Sequence, residues 1–210
     1  STVSRALTPN GGASLSPEVV ERIRKAAEQM DYRPNRLASG LRTNRTMIVG
    51  VMIPDITNML FPPIVRGIES FLEANGYASI LVNTDNDAAR ELRLMDVLRE
   101  RGVDGIINAA VRVEDARMER FAEDLPMVTV NRKIENSAIP SVISDDFGGV
   151  RMMVRRLAQS GHRRIGHIAG PPDLSTGLDR RAAFEAAMLG LGEADPARLI
   201  ATASRYSEAE

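Results

Sequence analysis

From Met47 onward, short runs of apolar residues alternate with amphipathic segments. The apolar runs predict strands, and the segments between them carry apolar residues at helical spacing. The predicted strands are 47–54, 77–83, 103–109, 127–130 and 141–143, and the predicted helices are 63–75, 88–101, 114–124 and 147–160. Strands that alternate with helices form a parallel sheet with helices on both faces, so the pattern predicts an α/β core. A further strand at 165–169 and a helix at 178–190 indicate the beginning of a second α/β lobe.

The first 46 residues follow a different pattern, one of short helices. Residues 1–7 form a polar-faced helical fragment, and residues 8–14 are rich in turn-forming types. Ser16, Pro17 and Glu18 then supply an N-cap, a proline at the first helical position and an acid in the first turn. The helix that follows has an apolar stripe formed by Val19, Ile23, Ala26, Ala27 and Met30.

Residues 35–42 predict a third, short and basic helix. Leu37 and Leu41 lie four residues apart, and therefore on one face, with Arg36 and Arg42 beside them. Such a segment can be an ordinary linker helix that packs on its neighbour. It can also dock against phosphates while its leucines contact an apolar surface.

Three of these blocks, in this order, resemble the Lac/Gal repressor family of bacterial transcription regulators: STVSRAL, SPEVVERIRKAAEQMDYRPN and LASGLRT. The resemblance implies a partial helix-turn-helix headpiece over 1–33, a hinge helix and linker over 34–46, and a periplasmic-binding-protein-like core over 47–210. It also indicates an internal fragment, which begins inside the recognition helix and ends early in the second lobe of the core.

The net charge of −1 is distributed unevenly between the N-terminal part and the core. Residues 1–46 carry eight Lys or Arg against four Asp or Glu, a net charge of +4, whereas the remainder carries 19 against 24, a net charge of −5. A basic headpiece on an acidic body is suited to binding the phosphates of nucleic acid.

The resemblance also implies which residues contact DNA. In the recognition helix these are Ser1, Thr2, Ser4 and Arg5, and in the hinge they are Asn35, Arg36, Ala38, Leu41 and Arg42. Arg5 is expected to pair with guanine O6 and N7 in the major groove. The hinge helices of a homodimer are expected to meet in the minor groove of a pseudo-palindromic operator, where Leu41 wedges between base steps.

Ligands of open parallel sheets collect at the carboxyl ends of the strands. That rule selects the residues that follow predicted strands one, two, four and five, namely Asp55, Asp85, Asn131, Arg132, Asp145 and Asp146. Their carboxylates, amide and guanidinium suit a polyhydroxylated ligand, although each residue alone could equally be a turn or a cap. The resemblance adds Leu60 and Phe61 from the first cleft loop, and Thr176 and Arg180 from the second lobe, as contacts of a small-molecule effector such as a sugar. The aromatic content of 4% offers no evident stacking surface for a sugar ring.

The sequence lacks the motifs of other functional classes. The chain has no cysteine, and no apolar run reaches the roughly 18 residues of a membrane span. It has no GxxxxGK[ST], GxSxG or HExxH motif, so we expect neither an enzyme nor a cofactor. His162 and His167 lie among arginines, which disfavours a metal site, and both are interpreted as structural. We expect a cytoplasmic regulator; the alternative is a periplasmic solute-binding protein of a sugar transporter, which uses the same two-lobed fold.

Leu41→Ala is expected to weaken binding of the full-length protein to its operator more than binding to random DNA. The substitution removes the wedge that stabilises bent DNA but leaves the phosphate contacts. Arg36→Ala is expected to weaken both affinities about equally and to lower the salt slope by roughly one. Fluorescence anisotropy at several salt concentrations measures both effects. An unchanged affinity and bend angle in Leu41→Ala would identify Leu41 as a packing residue.

Overall fold

The computed structural model describes residues 2–7, 15–32, 45–204 and 206. The chain divides into two compact units, Ser1–Thr46 and Met47–Glu210. In the smaller unit, helix α1 spans Thr2–Leu7 and packs against helix α2, which spans Pro17–Gln29, and Ala6 of α1 is buried.

Helix α2 begins as its sequence predicts, with proline in the first turn, but the side chain of Ser16 accepts no capping hydrogen bond. Its apolar stripe is also narrower than predicted. Val19, Ile23 and Ala27 are half-buried, whereas Ala26 is exposed and Met30, just beyond the last helical residue, is 77% exposed.

Several predicted DNA contacts cannot be placed on this unit. Thr2 and Arg5 lie exposed on α1. Outside the described residues are the other positions named for the recognition helix and hinge: Ser1, Asn35, Arg36, Ala38, Leu41, Arg42 and the side chain of Ser4.

The larger unit contains a five-stranded parallel sheet, as the alternating pattern predicts. Its strands are β1 Ile48–Ile53, β2 Ala78–Asn83, β3 Gly105–Asn108, β4 Met127–Val130 and β5 Ser141–Val142, in the order β2-β1-β3-β4-β5. The connecting helices are α3 Phe61–Ala74, α4 Ala88–Glu100 and α5 Ala116–Asp124. Helix α3 begins two residues earlier than predicted, with two prolines in its first turn, where their missing N–H groups cost nothing.

Both faces of this sheet are covered, because alternate residues of each strand point to opposite sides. On one side Val51 and Ile53 pack with the first turn of α3. On the other, Met52 and Ile106 pack with Leu98 of α4. The central strands are buried on both sides, so their sequences are continuous apolar runs.

The second lobe is formed by α6 Asp146–Gln159, β6 His167–Ala169, α7 Ser175–Gly190, a 3₁₀ helix Pro196–Leu199 and β7 Ile200–Thr202. Strands β6 and β7 form a separate two-stranded parallel sheet. The sequence pattern did not predict β7, and it placed the start of α7 three residues too late. Among the helices of the described residues, none combines the length and apolar character that crossing a membrane requires.

Gly177→Ala is expected to destabilise the protein by roughly 1–3 kcal/mol, because a Cβ at this position of α7 would overlap the backbone carbonyl oxygen of Pro171, which no side-chain rotation can relieve. Gly67→Ala is the matched control. Gly67 is exposed in α3, and apart from its chain neighbours and the nearby backbone of α3, no atom of the described residues lies within 4 Å of the place that an alanine methyl group would take. Alanine there is therefore expected to stabilise by about 0.5–1 kcal/mol. Urea unfolding of both variants measures the difference. Equal stability of the two variants would contradict the close approach at Gly177.

Candidate functional site

Sharp turns shape the edge of the sheet where the strands end. Asp85 and Asn86 follow β2, and Asn131 follows β4, and all three have positive φ angles of 55°, 56° and 67°. Asp and Asn tolerate this left-handed region better than most residues. The chain therefore reverses directly after these strands, which leaves the side chains of the turns along one rim.

Three of the predicted ligand carboxylates already contact groups of neighbouring residues in the chain. Asp55 accepts hydrogen bonds from the backbone N–H and the hydroxyl of Thr57, at 2.8 and 2.7 Å. Asp85 forms an ion pair with Arg90, at 2.6 Å. Asp145 accepts from the N–H of Gly148 at 2.8 Å and thereby caps α6. Each has a turn or capping role, and its predicted contact with a ligand stays a prediction.

The two predicted contacts of the first cleft loop differ in exposure. Leu60 is 46% exposed, whereas Phe61 is 2% exposed and packs with Val51 and Ile53 in the core. In this arrangement Phe61 presents almost no surface to a ligand, so a contact there would require the first turn of α3 to move.

A cavity of about 120 Å³ lies between the rim of the sheet and loops of the second lobe. It is lined by Asn86, Arg112, Arg132, Pro171, Asp173, Leu174, Ser204 and Tyr206. The rim residues come from three different strand ends, as the topology of a parallel sheet requires.

Arg112 connects the two walls of this cavity. Its Nε donates to Asp173 Oδ2 of the second lobe at 3.2 Å, and its Nη2 donates to the carbonyl oxygen of Asn86. Its Nη1 lies 3.9 Å from Glu91 Oε2. One guanidinium therefore contacts α4, the turn after β2 and the loop before α7.

Glu91 is a buried carboxylate, only 1% exposed. It accepts a hydrogen bond from Asn108 Nδ2 at 3.0 Å. Burial raises the pKa of Glu91, and the nearby Asp115 carboxylate acts in the same direction, while the Asn108 hydrogen bond and the Arg112 charge oppose the rise. The carboxylate therefore binds a proton more tightly in the folded protein than in the unfolded chain.

Arg132 is a buried cation, 4% exposed, whose contacts are all neutral. Nη1 donates to the carbonyl oxygen of Ala110 and Nη2 to Asn86 Oδ1, both at 3.2 Å, and the buried Nε has no hydrogen-bond partner among the described residues. Burial lowers the pKa of Arg132 to about 10; the positive charge of Arg112 adds to the decrease, and Tyr206, Glu91 and Asp173 oppose it.

The remaining predicted residues belong to the second lobe. Arg180 Nε lies 3.0 Å from Asp146 Oδ1, and both residues line a second hollow of about 330 Å³ over α6, β6 and α7. Thr176 is buried, and its hydroxyl lies 3.4 Å from that of Tyr206. The structure thus places Arg132 and Arg180 in two different hollows, with Thr176 adjoining the smaller one.

His167, interpreted from the sequence as structural, lines the larger hollow and stacks on Phe184 with ring centroids 5.1 Å apart. Burial lowers the pKa of His167, and the charge of Arg180 acts in the same direction.

Two further contacts join the lobes beside the cavity. Lys133, which follows Arg132, forms an ion pair with Asp179 of α7 at 3.0 Å. Its backbone N–H also donates to the hydroxyl of Ser175, at 3.0 Å. Together with Arg112 and Asp173, these contacts fix the angle between the lobes in this structure.

Seven of the eight residues that line the smaller cavity were not predicted from the sequence, among them Asn86, Arg112, Asp173 and Tyr206. Arg112 could have been found, because it follows β3, and the strand-end rule was not applied to that strand. Asn86 adjoins a residue that the rule selected. Asp173 and Tyr206 carry no local signal, since they reach the cavity only through the folding of the second lobe.

Comparison with known proteins identifies related sequences and structures. Residues 46–208 match the family model described as periplasmic binding proteins and sugar binding domain of LacI family. The ribose operon repressor of Halalkalibacterium halodurans is 32% identical over 184 residues, which cover 88% of this chain and 54% of that protein. The chain spans about half the length of the curated relatives it matches.

Two solved structures share the fold. One is a periplasmic binding protein/LacI transcriptional regulator from Alkaliphilus metalliredigens complexed with D-xylulofuranose; it has a TM-score of 0.66 and 28% identity, and the match covers 77% of this chain and 58% of that chain. The other is the Cra transcriptional dual regulator from Pseudomonas putida in complex with fructose 1-phosphate, with a TM-score of 0.65, 27% identity and coverage of 69% and 54%.

Glu91→Gln is expected to alter how stability depends on pH. Because the folded-state pKa of Glu91 is raised, its contribution to stability is fully present below the unfolded-state pKa and is lost as pH rises through the folded-state pKa. Glutamine keeps an acceptor for Asn108 and carries no charge. The variant should therefore gain stability relative to the parent as pH rises above 4.5, the ordinary pKa of a glutamate side chain.

Urea unfolding at a series of pH values from 4 to 8 measures this difference, with Glu69→Gln on the exposed face of α3 as a control that should follow the parent. A constant difference between Glu91→Gln and the parent across the series would show that Glu91 does not titrate differently on folding.

Proposed function

Because this chain belongs to the family of periplasmic binding proteins and sugar-binding domains of LacI-type regulators, we propose that the full-length protein is a DNA-binding transcriptional repressor controlled by a small molecule. The observation that carries the proposal is the cavity at the strand ends, where residues of both lobes converge. A ligand held there contacts both lobes at once, and can therefore favour one angle between them.

The ligand class that this cavity supports is a sugar or a closely related metabolite. Its wall presents guanidinium, amide, carboxylate and hydroxyl groups, which together can donate to and accept from neighbouring hydroxyls. The ligands named with the two related structures are both sugars or sugar derivatives.

The DNA partner is supported by the smaller unit. Residues 1–46 have a net charge of +4, and Thr2 and Arg5 are exposed on α1. Phosphate contacts account for most sequence-independent affinity, and base contacts by such a helix supply specificity. We propose that a homodimer binds a pseudo-palindromic operator in this way, and that it acts in the cytoplasm.

The proposed control mechanism is a shift between two lobe angles. The pairs Arg112–Asp173 and Lys133–Asp179 join the lobes in the present arrangement. A ligand that binds one angle more tightly shifts the equilibrium towards it, and the hinge segments of the dimer then move together or apart. The transporter alternative is less favoured, because these relatives are transcriptional regulators and a solute receptor has no use for a basic headpiece.

Operator binding by the full-length protein tests the proposal directly. Fluorescence anisotropy with DNA from the region upstream of its gene, with and without members of a sugar panel, should show specific binding that at least one sugar or sugar derivative changes. Equal affinity for this DNA and for random DNA would overturn the proposal.

Arg180 lines the larger hollow and not the cavity beside Arg132, but the family resemblance implies that it contacts the effector. On that ground, Arg180→Lys is expected to abolish the response to the effector and to leave ligand-free operator affinity nearly unchanged. Lysine retains the positive charge opposite Asp146 but lacks the planar fork of donors that can hold two ligand atoms. A ligand that binds both lobe angles with equal affinity does not shift the equilibrium between them. The same anisotropy assay measures the effect.

Arg181→Lys is the matched control for this prediction. Arg181 is the next residue of α7 and pairs with Glu185 on the same helix, at 3.0 Å. Its substitution should leave the effector response intact. A normal response in Arg180→Lys would make Arg180 a structural residue, and a loss of operator binding without effector would indicate damage to the fold.

A further inference from the structure

We propose that the cavity beside Arg132 receives an anionic group of the effector, a carboxylate or a phosphate carried by a sugar-like molecule. This inference rests on the function proposed above and narrows its ligand class. Four observations support it: the burial of Arg132, the existing partners of the nearby carboxylates, the size of the cavity and the position of Arg132 Nε, which donates no hydrogen bond among the described residues.

The first observation is that the buried Arg132 forms no ion pair with a described residue, although Tyr206, Glu91 and Asp173 act on its charge from nearby. The guanidinium is 4% exposed, and the described residues offer it only the carbonyl oxygen of Ala110 and the amide oxygen of Asn86. A buried charge without a partner is expensive, because neutral dipoles replace only part of its lost hydration. An anionic ligand would supply the missing partner.

The second observation is that the nearby carboxylates already have cationic or amide partners. Asp173 pairs with Arg112 at 3.2 Å. Glu91 accepts from Asn108 at 3.0 Å and faces Arg112 at 3.9 Å. Among the described residues that line the cavity, Arg112 and Arg132 are the cations and Asp173 is the one acid. The lining residues therefore carry one more positive than negative charge, and the Glu91 carboxylate lies beside Arg112 outside the lining.

The third observation is the size of the cavity, about 120 Å³. Sites that enclose whole drug-sized ligands measure roughly 300–1,000 Å³. This space accommodates a single functional group or a small ring, with the remainder of the ligand outside it. A terminal carboxylate or phosphate has the required size.

The fourth observation concerns the donors that remain. Arg132 Nε has no hydrogen-bond partner in the described part of the chain, and it lies on the same side of the guanidinium as Nη2, which contacts Asn86 Oδ1. An anion that displaces the Asn86 amide would accept from both nitrogens in the two-point geometry typical of arginine with carboxylate or phosphate. The hydroxyl of Tyr206, on the opposite wall, can donate a further hydrogen bond.

The test uses the full-length protein and matched pairs of ligands. Isothermal titration compares glucose with glucuronate, and ribose with ribose 5-phosphate; inorganic phosphate alone is a fifth probe, followed by thermal unfolding. The anionic member of at least one pair should bind about 10- to 100-fold more tightly than its neutral twin, the range expected for one charge-assisted contact. The two pairs distinguish a carboxylate from a phosphate.

Arg132→Gln should remove this preference, and it should remove any rise in Tm that inorganic phosphate produces. Arg66→Gln is the matched control; Arg66 lies exposed on α3 of the same lobe and pairs with Glu69, so the preference should persist. Arg132→Met is a second variant, without charge or hydrogen-bond donors, and it should lose the preference for the anionic sugar in the same way.

Three outcomes would overturn the inference. One is equal affinity for the neutral and anionic member of each pair, and another is a preference for the anion that survives Arg132→Gln. The third is the absence of any Arg132-dependent binding by the anionic sugars or phosphate. If neutral sugars still release the operator in these cases, the proposed regulatory function stands and only the ligand charge is wrong. If the parent protein fails to bind operator, the proposed function itself fails.

Discussion

The geometry of the cleft depends on the placement of one positive charge, the guanidinium of Arg112. It lies beside the buried carboxylate of Glu91 and bonds to Asp173, a residue 61 positions further along the chain. A buried carboxylate is tolerated only where hydrogen bonds and opposite charge compensate its lost hydration. The hydrogen bond from Asn108 meets most of that requirement and the charge of Arg112 adds to it, while Arg112 Nε donates to the second lobe. One of the contacts between the lobes is thus made by a residue that also faces α4.

The sheet could be predicted from the sequence because a strand that is buried on both faces needs apolar residues at successive positions, and each central strand therefore appears as a continuous apolar run. Strand β4, Met127–Val130, has the predicted bounds, and β1 differs from its prediction by one residue at either end. Strand β7 was missed for the opposite reason. It has three residues, of which two are exposed, and its extended form depends on pairing with β6. Because the pairing partner lies 33 positions away, the local sequence of β7 shows no alternation of apolar and polar residues that would predict a strand.

The site could be predicted only in part, for a related reason. The carboxyl-end rule selects positions, and it found Arg132, but it does not tell which neighbouring group a side chain will contact. Asp55 and Asp145 accept hydrogen bonds from residues two or three positions away, because the local turn geometry brings those backbone N–H groups to them. Asp173 reaches the cleft through a tertiary ion pair. Long-range pairs of this kind have no periodicity, so a single sequence does not reveal them.

Charge in the cavity also bears on how a ligand could move the lobes. Arg132 and Asn86 belong to the first lobe, whereas Asp173 and Tyr206 belong to the second, and all four line one cavity. An anion bound to Arg132 would lie near the carboxylate of Asp173 and would compete with it for the charge of Arg112. A neutral ligand has no such effect on the pair between the lobes. Since a ligand shifts a conformational equilibrium only by its differential affinity for the two states, this competition gives an anion a physical means of favouring a different lobe angle.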